Sequence, residues 1–280
     1  MSEKQREFDF SRRDFNYLRE VANNRTGIVV TDDKYDMFYA RLSRRVRKLG
    51  LRNFSEYCDL IRTESKDEEV LELVNAITTN LTSFFREQHH FDELNRRVVP
   101  ELTQRGDASR TIRVWSAGCS TGEEPYSIAM TLREALQESG GWNMELLATD
   151  IDSAVLQKAE SGIYPAERVQ GIPATRLRRW FLRGTHGKQG MVRVKPELQA
   201  SIRFHQLNLL GDWSLQQKQD VIFCRNVIIY FDKRSKQRLI DRFASALSPG
   251  GYLFIGHSES LFNLSESFEL VGNTLYRRKE

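Results

Sequence analysis

The run Ile112–Met130, IRVWSAGCSTGEEPYSIAM, constrains the fold more than any other part of the chain. It opens on the β-favouring residues Ile112, Val114 and Trp115, crosses small and polar residues from Ser116 to Gly122, and closes on helix formers. This pattern predicts a buried strand turning directly into a helix, the opening unit of an α/β sheet. Small residues at the turn let a ligand approach the backbone, and the first helical turn offers free N–H groups and partial positive charge. An anionic ligand, or one carrying a carboxylate, suits that end. Glu123 and Glu124 stand there too, and an acid facing the pocket would bind a cation or hydroxyls. The spacing Gly118-x-Ser120-x-Gly122 misses the G-x-G-x-x-G of dinucleotide folds. Alone, the turn also fits a tight corner in an α/β domain of another kind.

A length of 280 residues predicts one large domain or two small ones, and 40% hydrophobic residues support a real core. No run approaches the length of a membrane span, and MSEKQREFDF has no apolar signal core, so a soluble, cytoplasmic chain without membrane insertion is expected. Cys58, Cys119 and Cys224 are too scattered for a disulfide framework or a zinc site. His89, His90, His205 and His257 lack neighbours at ligand spacing, and no metal is expected. The net charge of +4 hints at an acidic partner without requiring nucleic acid.

From Ser11 to about Asn80 the apolar spacing predicts only helices, with Thr31 or Asp32 capping the second and a cap near Ser65 for the fourth. Lys34, Arg41, Arg45 and Lys48 line one flank of the second helix, either as a solvated edge or as a docking surface for an acidic helical partner. Polar and aromatic residues then crowd from Asn80 to Phe91, at the expected seam between helical and sheet parts, where ligand sites are favoured. Residues 105–109 read as a turn before the first strand. Met144–Asp150 reads as a second buried strand, with Asp150 placed to take two ribose hydroxyls and Asp152 placed to cap the next helix. The βα rhythm breaks at about 162–201, which reads as an inserted antiparallel hairpin whose edges can accept a peptide strand. It resumes with a strand ending in Asn208, a strand from Asp220 running into Arg225, Asn226 and Tyr230, an amphipathic helix, a strand to Gly256 and a closing hairpin around Gly272-Asn273. The prediction is an α/β fold: a doubly wound, mostly parallel sheet preceded by a helical domain (1–85), with the sheet domain at 86–280.

A G-x-G-x-G turn with its middle glycine eased to serine is a habit of methyltransferases that use S-adenosylmethionine. Asn80-Leu-Thr-Ser-Phe-Phe-Arg86, Ser120-Thr-Gly-Glu-Glu-Pro-Tyr-Ser127, Thr149-Asp-Ile-Asp152, Cys224-Arg-Asn-Val-Ile-Ile-Tyr-Phe231 and Gly256-His-Ser-Glu259 together resemble the bacterial chemotaxis receptor methyltransferases, over about Phe15 to Tyr276. That family esterifies glutamate side chains of transmembrane chemoreceptors with S-adenosyl-L-methionine, leaving S-adenosyl-L-homocysteine. The resemblance implies cofactor contacts at Asn80, Thr82, Arg86, Ala117, Gly118, Gly122, Glu124, Asp150, Asn208, Leu209, Arg225 and Asn226. It also implies receptor cytoplasmic domains as partners, a receptor C-terminal peptide on the β-subdomain, and a monomeric enzyme.

Glutamate, with a pKa near 4.3, is already an anion at neutral pH, so methyl transfer to it needs no general base. It needs alignment and removal of water. Arg86 can hold a carboxylate in a fork and Tyr230 can orient the acceptor, and these two are the expected catalytic residues. Two rivals remain at this stage: a nucleic-acid methyltransferase, and a signalling module that binds the cofactor without catalysis. The first lacks an N/D-P-P-Y/F turn at Arg225-Asn-Val-Ile-Ile-Tyr230, and Cys224 does not follow a proline.

Overall fold

The computed structural model of the chain describes residues 6–63, 67–105, 109–138, 140–213 and 215–280. The cap expected at Ser65 and residues 106–108 of the expected turn lie outside these residues. Contacts divide the chain into Met1–Thr79 with Tyr230–Asp232, and Asn80–Ile229 with Lys233–Glu280. Residues 80–85, expected in the helical domain, therefore pack with the second unit.

The first unit holds α1 (Arg12–Thr26), α2 (Tyr35–Lys48), α3 (Phe54–Thr63) and α4 (Asp67–Ile77). Their apolar faces meet in a core that includes Phe15, Leu18, Phe38, Leu42, Phe54, Tyr57 and Leu73. A capping box starts α1: Asp14 N–H donates to Ser11 Oγ at 3.1 Å, and Ser11 N–H donates to Asp14 Oδ2 at 2.9 Å. Gly27, at φ 73°, ends the helix in the left-handed conformation that glycine adopts without strain. Ser11→Ala should lower stability by about 1 kcal/mol in urea denaturation, and an unmoved midpoint would show that the box contributes nothing. Tyr230–Phe231 joins this unit through Val29 N–H donating to the Tyr230 carbonyl at 2.8 Å and an Ile28–Phe231 bridge.

The arginines on the basic flank of α2 are taken up within the helical unit. The Arg41 guanidinium donates to the carbonyls of Ile77 and Thr78 at 2.8 and 2.7 Å. Arg45 lies 2.9 Å from Glu69 Oε1 and 3.2 Å from Glu72 Oε2. Both arginines tie α2 to α4 and its C-terminal end, so neither is a free docking charge. A helical wheel shows which flank a residue occupies but not the acids that the next helix brings to it.

The second unit opens on α5 (His89–Glu93), which passes through a π-helical turn at Leu94–Val98 into α6 (Val99–Gln104). Then β1 (Thr111–Ala117), α7 (Glu123–Glu138), β2 (Asn143–Asp150) and α8 (Ser153–Ser161) give the expected βαβα rhythm. The insertion holds β3 (Ile163–Pro165), α9 (Ala174–Trp180), β4 (Phe181–Arg183), β5 (Met191–Val194) and α10 (Pro196–Gln199). After it come β6 (Ile202–Gln206), β7 (Gln219–Cys224), α11 (Lys233–Ala246), β8 (Leu247–Ile255), β9 (Phe268–Gly272) and β10 (Leu275–Arg278).

The main sheet has the order β6-β2-β1-β7-β8-β10-β9. The strands from β6 to β8 run parallel, and β10 and β9 close the sheet antiparallel. The chain moves outward from β1 through β2 to β6, then returns to β7 on the other side of β1. The C-terminal ends of β1 and β7 thus flank the switch point, where parallel sheets open a ligand crevice. The insertion is a separate antiparallel sheet, β3-β5-β4, rather than a hairpin, and β3 is too short for periodicity to reveal. Phe84 packs edge-on against Tyr164 and Phe181 at ring distances of 5.0 and 5.5 Å, which anchors the 80–86 segment in the second unit. Among the described residues no helix is long and apolar enough to cross a membrane.

Candidate active site

The glycine turn is built as the sequence requires, although its glycines serve the protein itself. Gly118 and Gly122 have φ near +92° and +95°. A Cβ on Gly118 would lie 2.4 Å from Val227 Cγ2, and one on Gly122 would lie 2.8 Å from Ala159 Cβ. These positions bring the turn against the chain after β7 and against α8, and Tyr164 OH donates to the Thr121 carbonyl at 2.7 Å. Gly118 and Cys119 N–H groups both donate to the Thr149 carbonyl, at 2.8 and 2.9 Å. Ala117 is buried at the end of β1.

Asp150 ends β2 within this turn. Its carboxylate accepts from Ser120 N–H at 2.8 Å and Asp152 N–H at 3.0 Å. Burial pushes its pKa up to about 6, against the pull of those N–H groups. Asp152 caps α8 by accepting from Ala154 and Val155 N–H, as expected, and also accepts from Asn80 Nδ2 at 2.8 Å. Ser120 Oγ donates to the Asn80 carbonyl at 3.0 Å. Leu207 N–H donates to the Asp150 carbonyl at 2.9 Å, which sets Asn208 and Leu209 beside it. Asn208 lies beyond β6 rather than at its end, and its Oδ1 accepts from Leu210 N–H at 3.0 Å. Asn80, Ser120, Asp150 and Asp152 thus form one hydrogen-bonded patch, with Asn208 and Leu209 alongside.

A second patch centres on Arg225, whose side chain is only 2% exposed. Its guanidinium lies 3.1 Å from Glu124 Oε2 and 3.2 Å from Glu87 Oε2, and it donates to the Arg86 carbonyl. Ser116 Oγ donates to Glu124 Oε1 at 2.7 Å. Burial raises the Glu124 pKa against the opposing effects of Arg225 and Ser116. Burial also acts to raise Glu87, but the Arg225 charge and its other hydrogen bonds outweigh it and hold this carboxyl below its usual value. With both acids ionised, one guanidinium faces two carboxylates. That buried excess of negative charge suits a cationic group such as an ammonium or a sulfonium. The neighbouring His90, wholly buried, is kept neutral: burial and Arg225 lower its pKa to about 3.

Glu259 is the positioning residue that pattern reading missed. Its carboxylate accepts from Gly256 N–H at 2.6 Å, Asn226 N–H at 2.9 Å and Ile229 N–H at 3.2 Å. It thereby pins the turn after β7, with Asn226 in the left-handed region at φ 58°. Phe85, Glu87 and Ser120 also carry positive φ, at 52°, 57° and 50°. Non-glycine residues in this conformation are costly, and four of the eight among the described residues fall at these patches, the others being Arg110, His186, Asn263 and Thr274.

Arg86 meets the second patch through its backbone carbonyl and not through its guanidinium. The Arg86 guanidinium donates to the Leu81 carbonyl at 2.7 Å, and the Thr82 carbonyl accepts from Arg168 at 2.8 Å. Arg168 also pairs with the buried Glu123, so the first of the two expected helix-start acids is structural. Tyr230 groups with the helical unit by its contacts, while Arg225 and Asn226 belong to the sheet unit.

Residues 80–277 match the family model described as CheR methyltransferase, SAM binding domain, and residues 13–78 match CheR methyltransferase, all-alpha domain. Chemotaxis protein methyltransferase 2 of Pseudomonas aeruginosa is 45% identical, covering 96% of this chain and 94% of that protein. The chemotaxis protein methyltransferase of Klebsiella aerogenes is 46% identical, covering 94% and 88%. That of Escherichia coli K12 is 44% identical, covering 94% and 89%.

Proposed function

The chain belongs to the chemotaxis protein methyltransferase family, and on that premise we propose that it methylates glutamate carboxylates of chemoreceptors. It is an S-adenosyl-L-methionine-dependent methyltransferase acting on chemoreceptors in chemotaxis. The observation that carries the reading is the buried cluster of Arg225 between Glu124 and Glu87, next to the Asp150 patch at the sheet's switch point. Its charge and acceptor set fit a ligand with an ammonium or sulfonium at one end and ribose hydroxyls at the other. Neither a nucleic-acid substrate nor a binding-only role is favoured.

When bound, the cofactor supplies an electrophilic methyl group on a sulfonium. Asp150, fixed by two backbone N–H groups, would accept the ribose hydroxyls. Glu124 and Arg225 would hold the methionyl end, with Ala117, Gly118 and Gly122 forming the loop beneath it. Asn80 and Thr82 would line one side, Asn208 and Leu209 the adenine side, and Asn226 the floor. Arg86 and Tyr230 are the proposed catalytic residues, orienting the acceptor carboxylate. None of them has to remove a proton, because glutamate is already ionised at neutral pH. A receptor C-terminal peptide would add to an edge of the small sheet, where β3 and β4 each have one side unpaired within that sheet. The enzyme would work as a monomer in the cytoplasm.

The test is transfer of labelled methyl from the cofactor to membranes bearing the cell's chemoreceptors. Base-labile label in the receptor band is expected. Label absent from receptors, or stable to base, overturns the glutamate ester.

A further inference from the structure

Helix α11 breaks two local rules at once. Arg234, Arg238 and Arg242 recur every four residues, which stacks like charges along one face and destabilises a helix. Lys233, Arg234 and Lys236 crowd its first turn, against the positive end of the helix dipole, where Asp232 just before the helix is the one acid. Arg242 is half-buried, donating to the Leu209 and Gly211 carbonyls at 2.8 and 2.7 Å. It stacks on Trp213 at 4.0 Å. Burial lowers its pKa, and repulsion from Arg238 adds to that effect. Lys233, Arg234 and Arg238 are exposed instead. Among the described residues no carboxylate pairs with them, and the nearby Asp241 accepts from Gln237 at 3.2 Å. These side chains line an open groove of about 700 Å³ with Gln237, Asp241, Arg242 and Ser245. On α2, by contrast, Arg45 and Arg47 are both matched by glutamates.

Local conflicts of this kind persist where function requires them. We propose that the α11 face bearing Lys233, Arg234 and Arg238 docks an acidic helical segment of the receptor substrate. The inference rests on the methyl-transfer reading above, in which the substrate presents glutamates and is therefore locally negative. Arginines four residues apart rise about 6 Å along a helix, the spacing of acids four apart on a partner helix. Paired charges then replace the repulsion within α11.

The test uses the full chain with inverted membrane vesicles carrying the cell's chemoreceptors. Arg234→Glu/Arg238→Glu should raise the KM for vesicles about tenfold at low salt, leaving kcat and calorimetric affinity for S-adenosylhomocysteine unchanged. The KM of the unsubstituted protein should climb with salt, and that of the double variant should not. Its Tm should hold, because the reversal makes the pair of position 238 with Arg242 attractive and places an acid in the first turn, while positions 234 and 238 still repel, so a folding defect is separable. Arg234→Lys/Arg238→Lys should keep the original KM. Normal methylation by the original chain with an unchanged KM in the reversed variant overturns the docking face alone. An original chain that labels no receptor takes down the enzyme reading with it. If the reversal abolishes binding to bulk duplex DNA and leaves the receptor KM untouched, the face belongs to nucleic acid and the proposal is wrong.

Discussion

Arg225→Met should cost about 3–5 kcal/mol of stability at neutral pH and reduce S-adenosylhomocysteine binding below detection. The guanidinium is 2% exposed and lies 3.1 Å from Glu124 and 3.2 Å from Glu87. Methionine fills the volume but leaves two buried carboxylates facing each other. The pH dependence identifies the cause. In the native protein Glu87 is held below its usual pKa, so it contributes stability above the unfolded value, lost as pH falls through the folded one. Without Arg225, both acids would sit above their unfolded values, and their contribution would be lost as pH rises. The deficit between variant and native protein should therefore be widest near pH 7 and narrow towards about pH 4 in urea denaturation. Adding Glu124→Gln should restore part of the stability but none of the binding. A deficit below about 1 kcal/mol, constant with pH, would mean that the cluster is not the linked charge unit described above.

This cluster shows where the sequence stopped being informative. The turn between β1 and α7, the cap at Asp152 and the βα rhythm are local patterns, and each was legible because its cause lies within a few residues. Glu124 was legible as an acid at a helix start and Arg225 only as a motif member, and their pairing spans the distance from α7 to the end of β7. Glu87 and Glu259 carried no periodic signal, since their roles depend on backbone N–H groups and charges brought by remote segments. The same limitation misread Arg41 and Arg45, whose partners arrive with α4 and its C-terminal end. A usable clue was present in the density of polar residues inside apolar surroundings, from Arg86 to His90 and from Gly256 to Glu259. Polar groups of that kind are paired when buried, as Glu87 and Glu259 are.

Cofactor affinity should rise as pH increases from about 5 to 7, because Asp150 must be ionised to accept two hydroxyls. Its pKa in the ligand-free protein is pushed up to about 6 by burial, against the two N–H groups that hold its oxygens. The sign for stability is opposite to that for binding. A raised acid contributes stability that is fully present below the unfolded pKa near 4 and is lost as pH rises through about 6, a change of about 3 kcal/mol. Hydroxyl donors stabilise the anion, so binding returns part of that loss and draws the pKa back down. If the bound value falls near 4, affinity for S-adenosylhomocysteine gains about tenfold between pH 5 and 7, out of about 100-fold from pH 3 upward, and levels off above it. The α-amino group of the ligand titrates nearer pH 8 and stays charged throughout. Asp150→Asn keeps the shape but not the charge, and should show a flat profile with affinity at pH 7 lower by at least tenfold. Calorimetry at several pH values separates the cases. A native profile as flat as that of the variant would mean that the ribose rests elsewhere and that the buried acid serves only to brace Ser120 and Asp152.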